Sequence, residues 1–349
     1  MKNLKGFNLK TEYNENNMPY PGVSYVNDEE KVYFEKESYI IATYSSVINN
    51  NIEDPWYGGG YDAFYQPQCG GELIKDYAFY LNYRSNATQI NFEENSQLEY
   101  IGDSAFSVPK LTSVEIPNSV KHIGNNNFYN TYSLSSITIQ EDSKLEYIGA
   151  STFGHNYNLK TFTLPKSVIK IGDDYIVNTE GVDYPLDGNY LETLYVDKDN
   201  PIYNDGNGSN CIIETATNTL LVSTPATTLP STVTRIGDHA YDCIGENYVT
   251  SEMINIVEGI EYIGHEIIDY GSSHKTLYLP STLKEIASRA FFYCDNLTEV
   301  ISKAMIAPEY SDSMFYMNTT CVLKVPQGAI GYDAWIEKLP NWTIEYITE

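Results

Sequence analysis

The chain is poor in positive charge: 21 Lys and Arg face 47 Asp and Glu, for a net charge of −26. A surface that negative repels phosphate backbones and anionic lipid, which argues against nucleic-acid binding and against docking on an acidic membrane. Long apolar runs are missing as well. The longest, such as residues 39–42, extend only a few positions, far short of the roughly 20 that span a bilayer, so no membrane insertion is expected. Cysteine is scarce: Cys69, Cys211, Cys243, Cys294 and Cys321 make an odd count with no C-x-x-C pair. Neither a disulfide framework nor a zinc site follows from that spacing, and buried free thiols are expected.

The usual signatures of catalysis are absent too. There is no G-x-S-x-G elbow, no Walker A loop and no G-x-G-x-x-G, so no nucleotide cradle or nucleophile turn is indicated. His265-Glu266-Ile267-Ile268-Asp269 ends in Asp where the zinc-protease motif needs His. It reads as a solvated turn carrying a buried Ile pair. Gly58-Gly59-Gly60 opens no helix and reads as a flexible loop. The five histidines, His122, His155, His239, His265 and His274, are scattered; the first three stand at or near exposed turns with no nucleophile motif beside them. Asp197, Asp199 and Asp205 cluster with Asn200, Asn204 and Asn207. Carboxylates at i and i+2 can open a calcium loop, yet Pro201-Ile202 interrupts the ligand spacing and turn chemistry explains these residues equally well. The expectation is a non-enzyme without cofactor or metal.

The N-terminal MKNLKGFNLKTEYNENN has no apolar stretch and no small-residue cleavage site, so it is not read as a secretory signal. Export is then expected through a signal removed upstream or by another route.

What the chain does have is 32 tyrosines and a repeat. LEYIGDSAF (98–106) nearly recurs as LEYIGASTF (145–153), 47 residues on. Ile-Gly steps at Ile101, Ile123, Ile148, Ile171, Ile236 and Ile263, continued by Ile286-Ala287, are spaced 22, 25, 23, 65, 27 and 23 residues apart. All but one lie near 23, the period of a solenoid coil. Each unit has an apolar residue three positions before the Ile-Gly, a small-aromatic pair such as Ala105-Phe106 or Thr152-Phe153 after it, and an alternating run such as LTSVEIP or LKTFTLP. The run predicts a strand with Val114 and Ile116 inward and Ser113 and Glu115 outward, ended by a proline that cannot join a ladder. The glycine is expected to allow a tight bend, and the phenylalanine to fill the coil. Stacked units would share one continuous core.

These motifs resemble the BspA-type leucine-rich repeat family, whose units read approximately L-x-x-I-x-x-x-A-F-x-x-C-x-x-L-x-x-I-x-I-P. LEYIGDSAF-SVPK-LTSVEIP and LKEIASRAFFYCDNLTEVIS are close matches, with Cys294 at the family's cysteine position, while IGDDYIVN departs from the pattern. The resemblance implies a right-handed, mainly β repeat solenoid, with one strand per coil, across residues 71–325. The long gap is similar to the hairpin insertion of Bacteroides members and is placed at about 197–225. Residues 326–349 look like the closing cap, with Trp335 and Trp342 covering the core. Residues 1–70 form a separate β-rich module, with two short strands around the turn 27–30 and a Gly- and Tyr-rich loop after them. Their P-x-V-S-Y pattern is similar to leaders on repeat proteins of gut Bacteroides phages and prophages.

The functional expectation is an extracellular recognition or adhesion protein that binds a protein or glycan at a cell surface through the outer face of the sheet. A structural or receptor-binding component of a phage virion is the alternative, and an enzyme the remote third. On that outer face the alternation selects Glu115, Thr138, Thr163, Tyr195, Tyr278 and Glu299 as candidate contacts. Ser, Thr and Glu are also ordinary solvated strand residues. The two tyrosines are the better anchors, because Tyr supplies contact area at low entropic cost. Ligand identity and oligomeric state are open at this stage.

Overall fold

The computed structural model describes residues 7–13, 19–25, 40–43, 73–74, 89–92, 96–106, 110–172, 184–186, 191–241, 253–268, 274–292, 294, 296–311, 313–315 and 320–348. They fall into two compact units, Met1–Asp173 and Asp174–Glu349.

The first unit opens with a hairpin. Strand β1 (Phe7–Tyr13) pairs antiparallel with β2 (Pro19–Tyr25), from Phe7↔Tyr25 to Tyr13↔Pro19. The sequence reading placed the partner of β2 after the turn 27–30; that turn and the Gly- and Tyr-rich loop lie outside the described residues. Long and short strands then follow: β3 (Ile40–Thr43), β4 (Leu73–Ile74), β5 (Gln89–Phe92), β6 (Tyr100–Ile101), β7 (Ser113–Ile116), β8 (His122–Ile123), β9 (Ser136–Ile139), β10 (Tyr147–Ile148), β11 (Thr161–Leu164) and β12 (Lys170–Ile171). The two-residue strands are the Ile-Gly steps, and they stack in parallel in the order β12-β10-β8-β6-β4. The longer strands build a second sheet, β3-β5-β7-β9, in which only β3 runs antiparallel. Each repeat therefore supplies two strands, where the sequence reading gave it one.

The burial follows the alternation. Val114 and Ile116 are buried while Ser113 and Glu115 are exposed. The closing proline starts a turn back to the next apolar anchor: Pro117 O accepts from Val120 N at 3.2 Å and Pro165 O from Val168 N at 3.3 Å. Inside, Phe106, Phe128 and Phe153 are fully buried and stack at 5.5 and 5.6 Å with planes 10° and 11° apart. Offset stacking of this kind adds to area burial.

At Gly172 the φ of 74° fits the expected bend, whereas at three other Ile-Gly steps the glycine has a different reason. Gly124, Gly149 and Gly264 are not in the left-handed region. Instead the Asp or Asn that follows the previous coil's glycine occupies the place a Cβ would take: Asp103 for Gly124, Asn125 for Gly149 and Asp238 for Gly264. Those side chains tie successive coils together, with Asn125 N donating to Asp103 Oδ1 at 2.7 Å and Ala150 N to Asn125 Oδ1 at 2.7 Å. The small residue beside each phenylalanine also does more than make room. Thr152 Oγ1 donates at 2.8 Å to Gly124 O and Gly149 O, and Asn127 Nδ2 donates to Gly102 O at 2.6 Å. These buried bonds satisfy turn carbonyls that would otherwise be orphaned.

The second unit runs β13 (Thr193–Val196), β14 (Tyr203–Asn204), β15 (Cys211–Glu214), β16 (Thr219–Ser223), β17 (Arg235–Ile236), β18 (Met253–Asn255), β19 (Tyr262–Ile263), β20 (Thr276–Leu279), β21 (Glu285–Ile286), β22 (Glu299–Ser302), β23 (Glu309–Tyr310), β24 (Cys321–Pro326), helix α1 (Asp333–Lys338) and β25 (Trp342–Ile347). Short strands form the sheet β14-β15-β16-β17-β19-β21-β23, and long ones the parallel sheet β18-β20-β22-β24-β25. The hairpin β15–β16 lies within the 65-residue interval. It rejoins the repeat directly, since Leu220 on β16 pairs with Ile236 and its carbonyl accepts from Gly237 N at 2.8 Å. At the C-terminal end Trp335 and Trp342 are 1% and 3% exposed and pack on Phe315 at 6.1 and 4.9 Å between centroids. Phe315 in turn stacks on Phe291 at 5.2 Å.

Candidate functional site

The long-strand sheet of the second unit presents two outward rows fixed by register. One runs Met253, Thr276, Glu299, Val322 and Thr343; the other Asn255, Tyr278, Ile301, Lys324 and Glu345. Each of these alternates with buried residues beneath, such as Leu277, Val300 and Leu323. Tyr278 and Ile301 are direct neighbours in the second row, and Val322 stands in the first row between Glu299 and Thr343. Lys324 Nζ and Glu299 Oε1 make an ion pair, half-buried on both sides. Apolar and charged side chains are therefore interleaved on this face, a mixture that protein interfaces also carry.

The first unit's sheet is different. Its outward pairs are Ser113↔Ser136 and Glu115↔Thr138, all exposed. Glu115 Oε1 already accepts from Gln140 Nε2 at 2.7 Å.

The six expected contacts fall on both units. Glu115 and Thr138 are neighbours on β7 and β9, and Thr163 is exposed on β11 of the same unit. Tyr195 is exposed on β13 of the second unit. Tyr278 and Glu299 lie on adjacent strands β20 and β22, one row apart, and Glu299 is engaged by Lys324. Ile301, Val322 and Lys324 escaped the sequence reading. The alternation in EVIS and CVLKVP marks them as outward, but the candidate contacts were chosen among Thr, Glu and Tyr.

The chemistry-bearing candidates resolve into structural roles. Glu266 is buried, not solvated, and pairs with Arg289 Nη2 at 2.6 Å; Ile267 is fully buried as expected. His265 Nδ1 lies 3.1 Å from Ser288 Oγ. The Asp238 carboxylate accepts from His265 N, the backbone amide, at 2.7 Å. The pair joins two coils. His122 is not an open turn residue: its ring is stacked between Tyr100 and Tyr147 at 4.3 and 4.4 Å. His274 is buried.

In the island the Asp and Asn side chains cap their own backbone. Asp197 Oδ1 accepts from Asp199 N at 2.9 Å, Asn200 Oδ1 from Ile202 N and Tyr203 N at 2.9 and 2.8 Å, and Asp205 Oδ1 from Gly208 N at 2.9 Å. That is Asx-turn chemistry. Among the described residues no group of three His, Cys, Asp or Glu side chains is placed to hold a metal. Cys211 and Cys321 are free and buried, and Cys294 is buried. Burial pushes the Cys211 and Cys321 thiols up to about 12, with Asp205 and Glu299 adding to the respective effects, so neither is a ready nucleophile. No helix among the described residues is long and apolar enough to cross a membrane.

Stacked parallel coils with two strands each define a β-solenoid repeat protein. The BspA type leucine rich repeat region matches residues 72–185 and 220–328 in six copies. The chain belongs to the BspA-type leucine-rich repeat family. No curated protein matches it. Among solved structures it is similar to the pneumococcal vaccine antigen PcpA, at 20% identity over 79% of this chain and 76% of that one, with a TM-score of 0.51. It is also similar to a leucine-rich repeat protein from Bacteroides ovatus, at 20% identity over 70% and 67% of the two chains and a TM-score of 0.30. A leucine rich cell surface protein from Faecalibacterium prausnitzii shares 20% identity over 72% and 84%, with a TM-score of 0.28.

Proposed function

We propose that the chain is a non-enzymatic recognition protein displayed outside the cell that makes it, holding a protein partner against the outer face of β18–β25. The observation that carries this reading is the outward neighbours Tyr278 and Ile301, with Val322 and the Glu299–Lys324 pair in the adjoining positions, a face unlike the Ser, Thr and Glu surface of the first unit. Membership of a repeat family whose sheets are open to partners supports it. So does the charge of −26, which disfavours nucleic acid and anionic lipid as the target.

The test is binding of the whole chain to a panel of purified extracellular proteins by biolayer interferometry. Ile301→Asp and Tyr278→Ala should each weaken the partner by about tenfold or more, while Thr138→Ala leaves it unchanged. Equal binding by all three variants would remove the face from the mechanism. Display on a cell or on a phage virion is separated by looking for the chain in purified virions and in washed cell envelopes.

A further inference from the structure

In the first unit four aromatic rings gather on loops outside both sheets. Tyr132 and Tyr157 each stand four residues after a core phenylalanine, Phe128 and Phe153, and so occupy one position of successive coils. Their rings lie 5.8 Å apart at 21° and are 42% and 39% exposed. His155 borders Tyr157, with Nδ1 at 3.4 Å from the phenol oxygen, and Tyr129 packs on His155 at 5.0 Å. Asn158 is exposed at the edge of the pair and held there by donating Nδ2 to Tyr132 O at 2.7 Å. The core does not require tyrosine here, because the same position after Phe106 is Lys110, an exposed lysine.

We infer that this cluster is a subsite for a neutral saccharide, separate from the sheet face of the second unit. Tyrosine rings present a negative face to polarised C–H groups, and one side of a sugar ring is a plane of such C–H bonds. Around its edge a sugar carries hydroxyls that both donate and accept. Phenol, imidazole and carboxamide groups placed beside the two rings can meet both roles. The residues flanking the pair, Asn130, Ser133 and Asn158, are polar, which suits a sugar rather than an aliphatic peptide anchor that fills an apolar pocket. The chain's charge of −26 turns away uronic-acid and sulfated polymers.

The experiment probes the full chain against cello-, manno-, galacto- and chito-oligosaccharides, with heparin and polygalacturonate as anionic comparisons. At least one neutral series should bind in the millimolar range or tighter, and Tyr132→Ala and Tyr157→Ala should each weaken it roughly fivefold to tenfold while each variant remains folded, with a cooperative unfolding transition. Tyr278→Ala should not affect sugar binding, so failure of the sheet-face reading leaves this result untouched. No binding to any neutral series, binding to the anionic polymers alone, or neutral binding indifferent to Tyr132 and Tyr157 would overturn the assignment.

Discussion

The Asp238 carboxylate stands where a side chain on Gly264 would be: its Oδ1 is 2.5 Å from the Cβ position of that glycine. The same oxygen accepts from His265 N at 2.7 Å, so it cannot move without breaking the link between coils. Backbone atoms of Asp238 and Gly237 also lie 2.7 Å from that position. Gly264→Ala should therefore lower the urea midpoint of unfolding by an amount worth about 1–3 kcal/mol. Ala287 follows a coil whose corresponding residue is His265 rather than Asp or Asn, and a Cβ is accepted there. Ala287→Gly should cost only about 0.5–1 kcal/mol, from chain entropy. Equal effects in the two variants would sink the packing account of the Ile-Gly step.

The ion pair Glu266–Arg289 connects two coils at 2.6 Å, with the glutamate 8% exposed and the guanidinium 4.2 Å from the Phe292 ring. Removing the cation leaves a buried carboxylate without its counter-charge. Arg289→Ala should cost about 3–5 kcal/mol, and the double variant Glu266→Ala/Arg289→Ala less than that single one. Thermal or urea unfolding of the three proteins decides it; a double variant as unstable as the sum of the singles would mean the pair is not coupled.

The coil was legible because its core positions cannot vary independently. Ile101, Phe106, Val114 and Ile116 face a shared interior, and every unit must repeat them to stack. Period-2 alternation then separated Ser113 and Glu115 from that interior correctly. Other features were not legible because they depend on what the neighbouring coil contributes. Nothing within one repeat says that Asn125 fills the space above Gly149, that Thr152 caps the carbonyl of Gly124, or that His122 lies between two tyrosine rings. On the outward face of β18–β25 the limit was a different one. Ile301 and Val322 break the expectation of polar outward residues, so a reading that sought Thr, Glu and Tyr passed over them.

Buried thiols make a chemical prediction. With Cys211 and Cys321 held near 12 by burial, the thiolate fraction at neutral pH is too small for fast attack on a disulfide reagent. Native protein should react at these two positions far more slowly than urea-unfolded protein, as followed by mass mapping of labelled cysteines. Labelling of Cys211 and Cys321 in the folded chain at the rate of a free thiol would contradict their burial.

His155 contributes to the pH dependence of the first unit. Desolvation holds its imidazolium form below the ordinary value of 6.5, against the Tyr129 ring at 5.0 Å and the Tyr157 hydroxyl at 3.4 Å. Because the folded pKa is the lower one, the unfolded chain binds more protons at His155 as pH falls below 6.5. The neutral ring's contribution to stability is complete above that value and is lost progressively down through the folded pKa. Tm should therefore fall on acidification from pH 7.5 toward 5, and part of that fall should vanish in His155→Asn. Asparagine suits the site because it tolerates the positive φ of 55° found there. An NMR titration of the His155 ring with a midpoint at or above 6.5 would reverse the sign of this effect.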